Sequence, residues 1–423
     1  MAVSVTQTIP QRVQFVVIGA GCIGCSVAYH LAKAGATDVL VVEREPAIAS
    51  VTTAQAAGSA GQVRSTLDRV KYEMESVQTY RELQKDDTYT PSWRETGSIR
   101  IALTDDRAEE LRGLARVAEA AGLDVELMNG GSAKHAWPQM RLDAAKAVLW
   151  CPSDGYLQPV DLANAYHHQA RLAGVKFLTG LDVLGIDVKN DTVAAVLTDH
   201  GRIDCETVIN CAGSNAWAVA QMVGLEFPIF PVRHQYMITT PIDGITPDLP
   251  LFRVPDLNIY GRPDVHSLLL GGWEAPSTSI DPRSIATRHD FPVAEPDMDA
   301  QNDFVEAAAT IYPPARDAGV RSMFSGWPTV TPDGLYIIGR TRQIRGFAMG
   351  AGCNIHGVGG SAGFGRLVAD AVTETTHSPF LRQFSPDRFS GQTFDWSRCR
   401  QNATSISENY YTLKRVPAPE TVI

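Results

Sequence analysis

Residues 15–24 read Phe15-Val16-Val17-Ile18-Gly19-Ala20-Gly21-Cys22-Ile23-Gly24, and this stretch decides the fold. The apolar, β-branched run predicts a buried strand that breaks into a glycine loop and opens an alanine-rich helix over about 22–34. In that context Gly-x-Gly-x-x-Gly is a dinucleotide fingerprint. Gly19 permits the tight turn, Gly21 lets backbone approach a pyrophosphate, and Gly24 lets helix and strand pack closely. The free N–H groups at the helix start then face the phosphates. A second strand, Val39-Leu40-Val41-Val42, leads to Glu43 and Arg44. A carboxylate at that distance suits a ribose diol. The alternative is a βαβ unit with a merely structural turn; strand, loop, helix, second strand and acid falling in register argue against it.

Working outward, 423 residues exceed one ordinary core, so two sequential or intertwined domains are expected. Hydrophobic content of 44% with 20% charged residues describes a globular chain. A net charge of -10 disfavours a nucleic-acid partner, since no basic stripe is present. No apolar run reaches the length of a membrane span. Met1 to Arg12 lacks the apolar centre of a signal peptide, and seven scattered cysteines suit reduced thiols, so a cytoplasmic address is expected. Cys22 and Cys25 form a Cys-x-x-Cys pair inside the fingerprint, where small side chains are needed, and read as packing residues. The ten histidines show no metal spacing and no metal site is expected.

Apolar periodicity predicts further helices over about 67–85, 106–121, 159–173, 298–312 and 361–374. Strands are expected at 97–102, 175–178, 181–188, 192–198, 207–211 and 347–349, with a β-rich stretch over 230–273. The 207–213 strand ends in Cys211-Ala212-Gly213, whose carboxyl end belongs at the ligand crevice. A second glycine-rich loop, Gly350 to Gly360, precedes the last of these helices and can pass beneath a planar ligand.

Three separated segments resemble the FAD-dependent amine and amino-acid oxidoreductases of the D-amino-acid oxidase type. They are the fingerprint with Glu43, the Thr207-Val208-Ile209-Asn210-Cys211-Ala212-Gly213 strand, and Thr331-Pro332-Asp333-Gly334 with the glycine-rich tail. Within that superfamily the chain is most similar to the flavin domain of dimethylglycine and sarcosine dehydrogenases. Ala56-Ala57-Gly58, Thr96-Gly97-Ser98-Ile99-Arg100, Pro231-Val232-Arg233-His234-Gln235-Tyr236 and Ser385-Pro386-Asp387-Arg388-Phe389 carry that likeness. The implied fold is α/β: a doubly wound, Rossmann-type FAD-binding domain interleaved with an antiparallel β-rich (α+β) substrate domain. The expected division is a discontinuous FAD-binding domain (13–90, 150–228 and 324–389), a substrate domain (91–149 and 229–323) and a C-terminal tail (390–423).

Two departures bear on the cofactor. Members of the dehydrogenase subgroup carry a histidine before Ala-Ala-Gly to which FAD is bonded; Gln55 stands there. Monomeric sarcosine oxidases use a cysteine shortly before Thr-Pro-Asp, where this chain has Gly326-Trp327-Pro328-Thr329, and Cys353 does not match. FAD is therefore expected to bind non-covalently. The folate-binding region of dimethylglycine dehydrogenase is not seen before residue 423, so a removed methyl carbon is expected to leave as formaldehyde.

The reaction implied is hydride removal from a carbon next to an amine nitrogen, followed by iminium hydrolysis. The amine must react neutral, which at pH 7 costs roughly 4–5 kcal/mol for a pKa of ~10.4. By the resemblance, His234 and Tyr260 (in Asn258-Ile259-Tyr260-Gly261-Arg262) are the active-site pair, with His234 the candidate base. A half-exposed histidine and a core tyrosine are the alternative. Arg64 and Arg262 are candidate partners for a substrate carboxylate. The resemblance further places the backbone of Val183 at adenine and Gly213 and Trp217 along the cofactor's edge. Gly352, His356, Gly357 and Val358 fall in the second glycine-rich loop, expected to pass beneath the flavin; a flexible turn, with His356 only a helix-start residue, is the alternative.

The activity expected is oxidative demethylation of an N-methyl amine or amino acid, passing electrons to oxygen or an electron-transfer protein. D-amino-acid or glycine deamination, a flavin subunit requiring partner subunits, and a nicotinamide dehydrogenase remain the alternatives.

Overall fold

The computed structural model describes residues 8–287, 289–374 and 376–413. The leader reading therefore rests partly on residues outside those described (1–7), as does the end of the tail (414–423). The Phe15–Ile18 run lies in strand Arg12–Ile18, flanked on both sides by parallel partners, Val39–Glu43 and Gly201–Asn210. Lys176–Thr179 extends the sheet beyond the first, and Phe347–Ala351 beyond the second, both in parallel. Ile337–Arg340 closes one edge antiparallel, and the hairpin Val183–Lys189/Thr192–Thr198 adds to Gly201–Asn210.

A parallel sheet needs both faces covered, which explains why the run is apolar without alternation. Phe15 and Val17 meet one core, under helices Cys22–Lys33, Pro159–Leu172 and Ser361–Thr373; Val16 and Ile18 meet another on the opposite face. Each such valine or isoleucine contributes about 1.5–3 kcal/mol through burial. Gly24 is dictated by this packing: a Cβ there would lie 1.9 Å from the Gly19 carbonyl oxygen.

The second sheet has eight strands in the order Val320–Gly326, His234–Thr239, Ser267–Gly272, Ile259–Asp264, Leu251–Val254, Ser98–Ala102, Ala147–Cys151 and Glu126–Met128. All neighbours are antiparallel except Leu251–Val254 beside Ser98–Ala102. This sheet alternates. Ile99, Met237, Phe252, Ile259 and Leu270 pack with helix Met298–Ile311, and the intervening residues face the first sheet's half of the molecule.

Most expected helices end within two residues of their observed bounds, for example Leu67–Leu83, Asp105–Ala120 and Pro159–Leu172. The strand read over 207–211 starts earlier, at Gly201, because its solvent-side half pairs with a hairpin and needs no continuous apolar run. Strand Leu251–Val254 falls in the stretch expected to be β-rich, whereas strand Ala147–Cys151 and helix Trp396–Glu408 had no sequence reading. Among the described residues no helix is long and apolar enough to cross a membrane. All seven cysteines are free thiols; Cys22 and Cys25 are buried in the first helical turns, and burial raises both thiol pKa values.

Candidate active site

Two adjoining cavities lie where the parallel strands end, as the crevice of a doubly wound sheet requires. They enclose about 1460 and 1190 Å³, open mouths included. Gly21, Thr53, Gln55, Gly213 and Trp327 border both, so one elongated ligand can run between them.

Gly19, Glu43, Arg44, Val183 and Ala212 line the first cavity. The Glu43 carboxylate is fixed there by two backbone donors, Ala20 N–H to Oε2 at 2.8 Å and Glu45 N–H to Oε1 at 2.9 Å. Helix Cys22–Lys33 begins at this boundary with no acidic residue in its first turn and no side-chain cap at Gly21. The positive end of its dipole is thus left for an anion. Cys22 N–H meets Thr53 Oγ1 at 3.0 Å.

Ile23, Ala57, Gly58, His356, Gly357 and Val358 line the second cavity, with His234 and Tyr260 on its far side. Gln55 sits against Gly326, where a Cβ would come within 2.7 Å of the Gln55 Oε1. Helix Ser361–Thr373 has no cap from its own N-cap residue Gly360 and no acid in its first turn, and Ser76 Oγ accepts from Gly363 N–H at 3.0 Å. These features fit an adenine dinucleotide: an anchored carboxylate at one end, bare peptide nitrogens at the middle, and a chamber for a planar ring at the other end.

The chamber's opposite wall is the second sheet. One cross-strand row runs Arg100, Arg253, Tyr260, Gly271, Tyr236, Phe324. Residues in register share a face, and His234, two residues before Tyr236, shares it too. Gly271 is bare because Tyr260 lies across it; a Cβ would fall 2.5 Å from the phenol oxygen. That crossing brings the Tyr260 hydroxyl to 2.8 Å from His234 Nε2. Trp273 flanks the histidine, ring centroids 4.7 Å apart. Burial lowers the His234 pKa to about 4 and raises that of Tyr260. The imidazole is neutral at pH 7, and weaker as a proton acceptor than a free histidine.

The two arginines expected to meet a carboxylate are committed elsewhere. Arg262 donates through Nε to Ala57 O at 2.7 Å and through Nη1 to Pro263 O at 2.8 Å, and its guanidinium lies over Tyr156 beside Asp264. It clamps the Ala56-Ala57-Gly58 loop to the sheet and borders neither cavity. Arg64 donates to Glu73 at 3.0 Å and lies 2.9 Å from His356 Nε2, which is itself 2.8 Å from Glu73. Burial opposes ionisation of Glu73, but Arg64 and then His356 outweigh it and hold its carboxyl below the usual range. Trp217 and Gly352 also lie outside both linings. Trp217 packs edge-on against Trp396, centroids 6.3 Å apart, and Gly352 backs onto Thr331. Gly24 and Ala20 act from behind, through packing and the Glu43 contact.

The cation that does border the chamber is Arg253. Among the described residues its guanidinium has no ion pair or hydrogen bond, and Arg100 stands beside it in the same row. Burial, and next the charge of Arg253, lowers the Arg100 pKa. The sequence signal was a single charge in an otherwise apolar strand, Leu251-Phe252-Arg253-Val254. Tyr410 and Tyr411, from the far end of the chain, complete the lining and had no sequence signal beyond their adjacency.

Comparison with known proteins agrees with this architecture. The chain is 29% identical to the mitochondrial sarcosine dehydrogenase of Mus musculus over 414 residues, 96% of this chain and 44% of that protein. It is 28% identical to the 4-methylaminobutanoate oxidase (formaldehyde-forming) of Paenarthrobacter nicotinovorans, covering 90% of this chain and 46% of that one. Dimethylglycine dehydrogenase of Rattus norvegicus gives 27%, covering 94% and 47%. The chain thus spans about half the length of these curated relatives. The crystal structure of L-proline dehydrogenase from P. horikoshii has the same fold, with a TM-score of 0.81 at 24% identity over 90% of this chain and 98% of that one. The model of the FAD dependent oxidoreductase (DAO) family matches residues 14–371, so the chain belongs to that family and its cofactor is FAD.

Proposed function

We propose that the protein oxidises the C–N bond of an N-methyl amino acid, a secondary or tertiary amine bearing a carboxylate, and releases the methyl carbon as formaldehyde. The observation that carries this reading is the guanidinium of Arg253, without an ion pair or hydrogen bond among the described residues, in the same chamber wall as the His234–Tyr260 pair. A carboxylate entering a desolvated chamber needs a cationic partner, and Arg253 is placed to be one. The relatives act on sarcosine, dimethylglycine and 4-methylaminobutanoate by their names, which are substrates of this class.

The parallel-sheet half of the molecule holds FAD and the second sheet receives the substrate. Glu43 would hold the ribose, Gly19, Gly21 and Cys22 the diphosphate, and the loop at His356 to Val358 the ring system. Gln55 offers no nucleophile, and burial raises the Cys353 thiol pKa, so the group is held non-covalently. Bound there, FAD supplies the two-electron acceptor for the hydride leaving carbon.

The side chains then have three tasks. Arg253 fixes the carboxylate end. Neutral His234 accepts a hydrogen bond from the Tyr260 hydroxyl at Nε2, which fixes the phenol in the wall against which the amine lies. The buried wall disfavours a charged ammonium and so selects the neutral amine. With its pKa near 4, His234 is not the group that carries the proton away. Accordingly kcat/KM should climb about tenfold per pH unit toward the amine's own pKa of ~10. A plateau already reached by pH 7 would instead assign the titration to a histidine.

The direct test is anaerobic mixing of the holoenzyme with sarcosine, dimethylglycine, 4-methylaminobutanoate, glycine and D-alanine. N-methyl substrates should bleach the visible flavin band and yield one formaldehyde per flavin reduced. Ammonia without formaldehyde would replace this reading by deamination.

A further inference from the structure

The chamber has one wall to which no role has been given. Helix Trp396–Glu408 delivers Tyr410 and Tyr411 into the cavity bordered by His234, Tyr260 and Arg253. Tyr410 stacks on Trp273, centroids 3.8 Å apart and planes 13° from parallel. Tyr411 meets the same indole edge-on at 6.0 Å. Trp273 in turn flanks His234, and both tyrosines also lie near Arg253, so they wall the chamber between the two.

The segment is held from three directions. The Tyr411 carbonyl accepts from Arg107 Nη2 at 2.6 Å, and that buried guanidinium also neighbours Glu110 and Asp256. Ser277 N–H donates to the Glu408 carboxylate at 2.8 Å. Arg400 Nε donates to Ser279 Oγ at 2.8 Å. Hydrogen bonds to charged groups are among the stronger ones available. A loop end fastened in this way and stacked on an indole is a fixed wall.

We propose that Tyr410 and Tyr411 are specificity-determining residues that close the substrate chamber and limit the groups carried by the amine to small alkyl substituents. The inference rests on the amine-oxidising reading for where the nitrogen lies. Its geometric content, a wall that excludes bulk, stands apart from turnover and is measured separately.

Two thioether isosteres that cannot react as amines serve as probes: (methylthio)acetate and (benzylthio)acetate, titrated against the holoenzyme by flavin absorbance. Wild type should prefer the methyl compound. The double variant Tyr410→Ala/Tyr411→Ala should shift the affinity ratio at least tenfold toward the benzyl compound, whereas Tyr411→Phe, which keeps the ring, should retain the wild-type ratio. A double-variant ratio within threefold of wild type overturns the proposal. If the double variant loses its flavin, Tyr411→Ala alone carries the comparison under the same criterion. A second arm compares kcat/KM for N-benzylglycine and sarcosine, expecting the same tenfold shift. If neither amine bleaches the wild-type flavin, the amine reading fails while the thioether ratio still decides the wall.

Discussion

Arg253→Ala is expected to raise KM for a carboxylated amine about 100-fold with a much smaller change in kcat. Removing one partner of a desolvated, charge-assisted pair costs roughly 2–5 kcal/mol, much of it from stranding the other charge. At 1.4 kcal/mol per tenfold, about 3 kcal/mol corresponds to two orders of magnitude. The neighbouring cations are less well placed: Arg262 is held by Ala57 and Pro263, Arg64 by Glu73, and Arg100, beside Arg253 in the row, does not border the chamber. Arg253→Lys should recover only part of the loss, because a point ammonium does not reproduce a two-pronged contact. An N-methyl amine without a carboxylate is the internal control. If it loses as much as the amino acid does, Arg253 is not the carboxylate's partner.

Gly24→Ala is expected to yield a folded protein that purifies without FAD and rebinds it at least ~100-fold more weakly. The added methyl would sit 1.9 Å from the Gly19 carbonyl oxygen, a backbone atom that can yield only by moving the loop. Such overpacking costs typically 1–3 kcal/mol or more where the backbone must shift. Here the shift also displaces the peptide nitrogens meant for the diphosphate. Helix Cys22–Lys33 keeps its remaining packing against Ser361–Thr373, so far-ultraviolet circular dichroism should stay unchanged. The readouts are visible absorbance of the purified protein and titration with FAD. A yellow protein with wild-type stoichiometry would show that close packing at this turn is not what shapes the cradle.

Much of the cofactor half was legible because its signals are local. Phe15 to Gly24 encodes strand, turn and helix through the φ freedom of Gly19 and the missing side chains of Gly21 and Gly24. The limit at Gly24 is local, set by the Gly19 carbonyl, and Gly19 takes a positive φ, while the space at Gly19 and Gly21 is also bounded by Cys211 and Thr53. Helices such as Leu67–Leu83 and Pro159–Leu172 were legible for the same reason, since amphipathic spacing repeats every turn. His234 and Tyr260 were reached through family resemblance, not through spacing.

The substrate wall was decided by pairing that no local pattern records. Strand Leu251–Val254 lies parallel to Ser98–Ala102, about 150 residues earlier, and only this register sets Arg253 beside Arg100 and opposite Tyr260. Arg262, one strand over and equally plausible in the sequence, is turned away because Ala57 O is within reach of its Nε. Tyr410 and Tyr411 arrive from the far end of the chain because Arg107 and Trp273, separated by 166 positions from each other, converge there. Backbone conformation follows from steric limits between adjacent residues, so the order of amino acids alone determined where the cofactor's cradle begins. Which side chains face the substrate depends on long-range strand register and on competition for hydrogen-bond partners, and only the folded chain decides that.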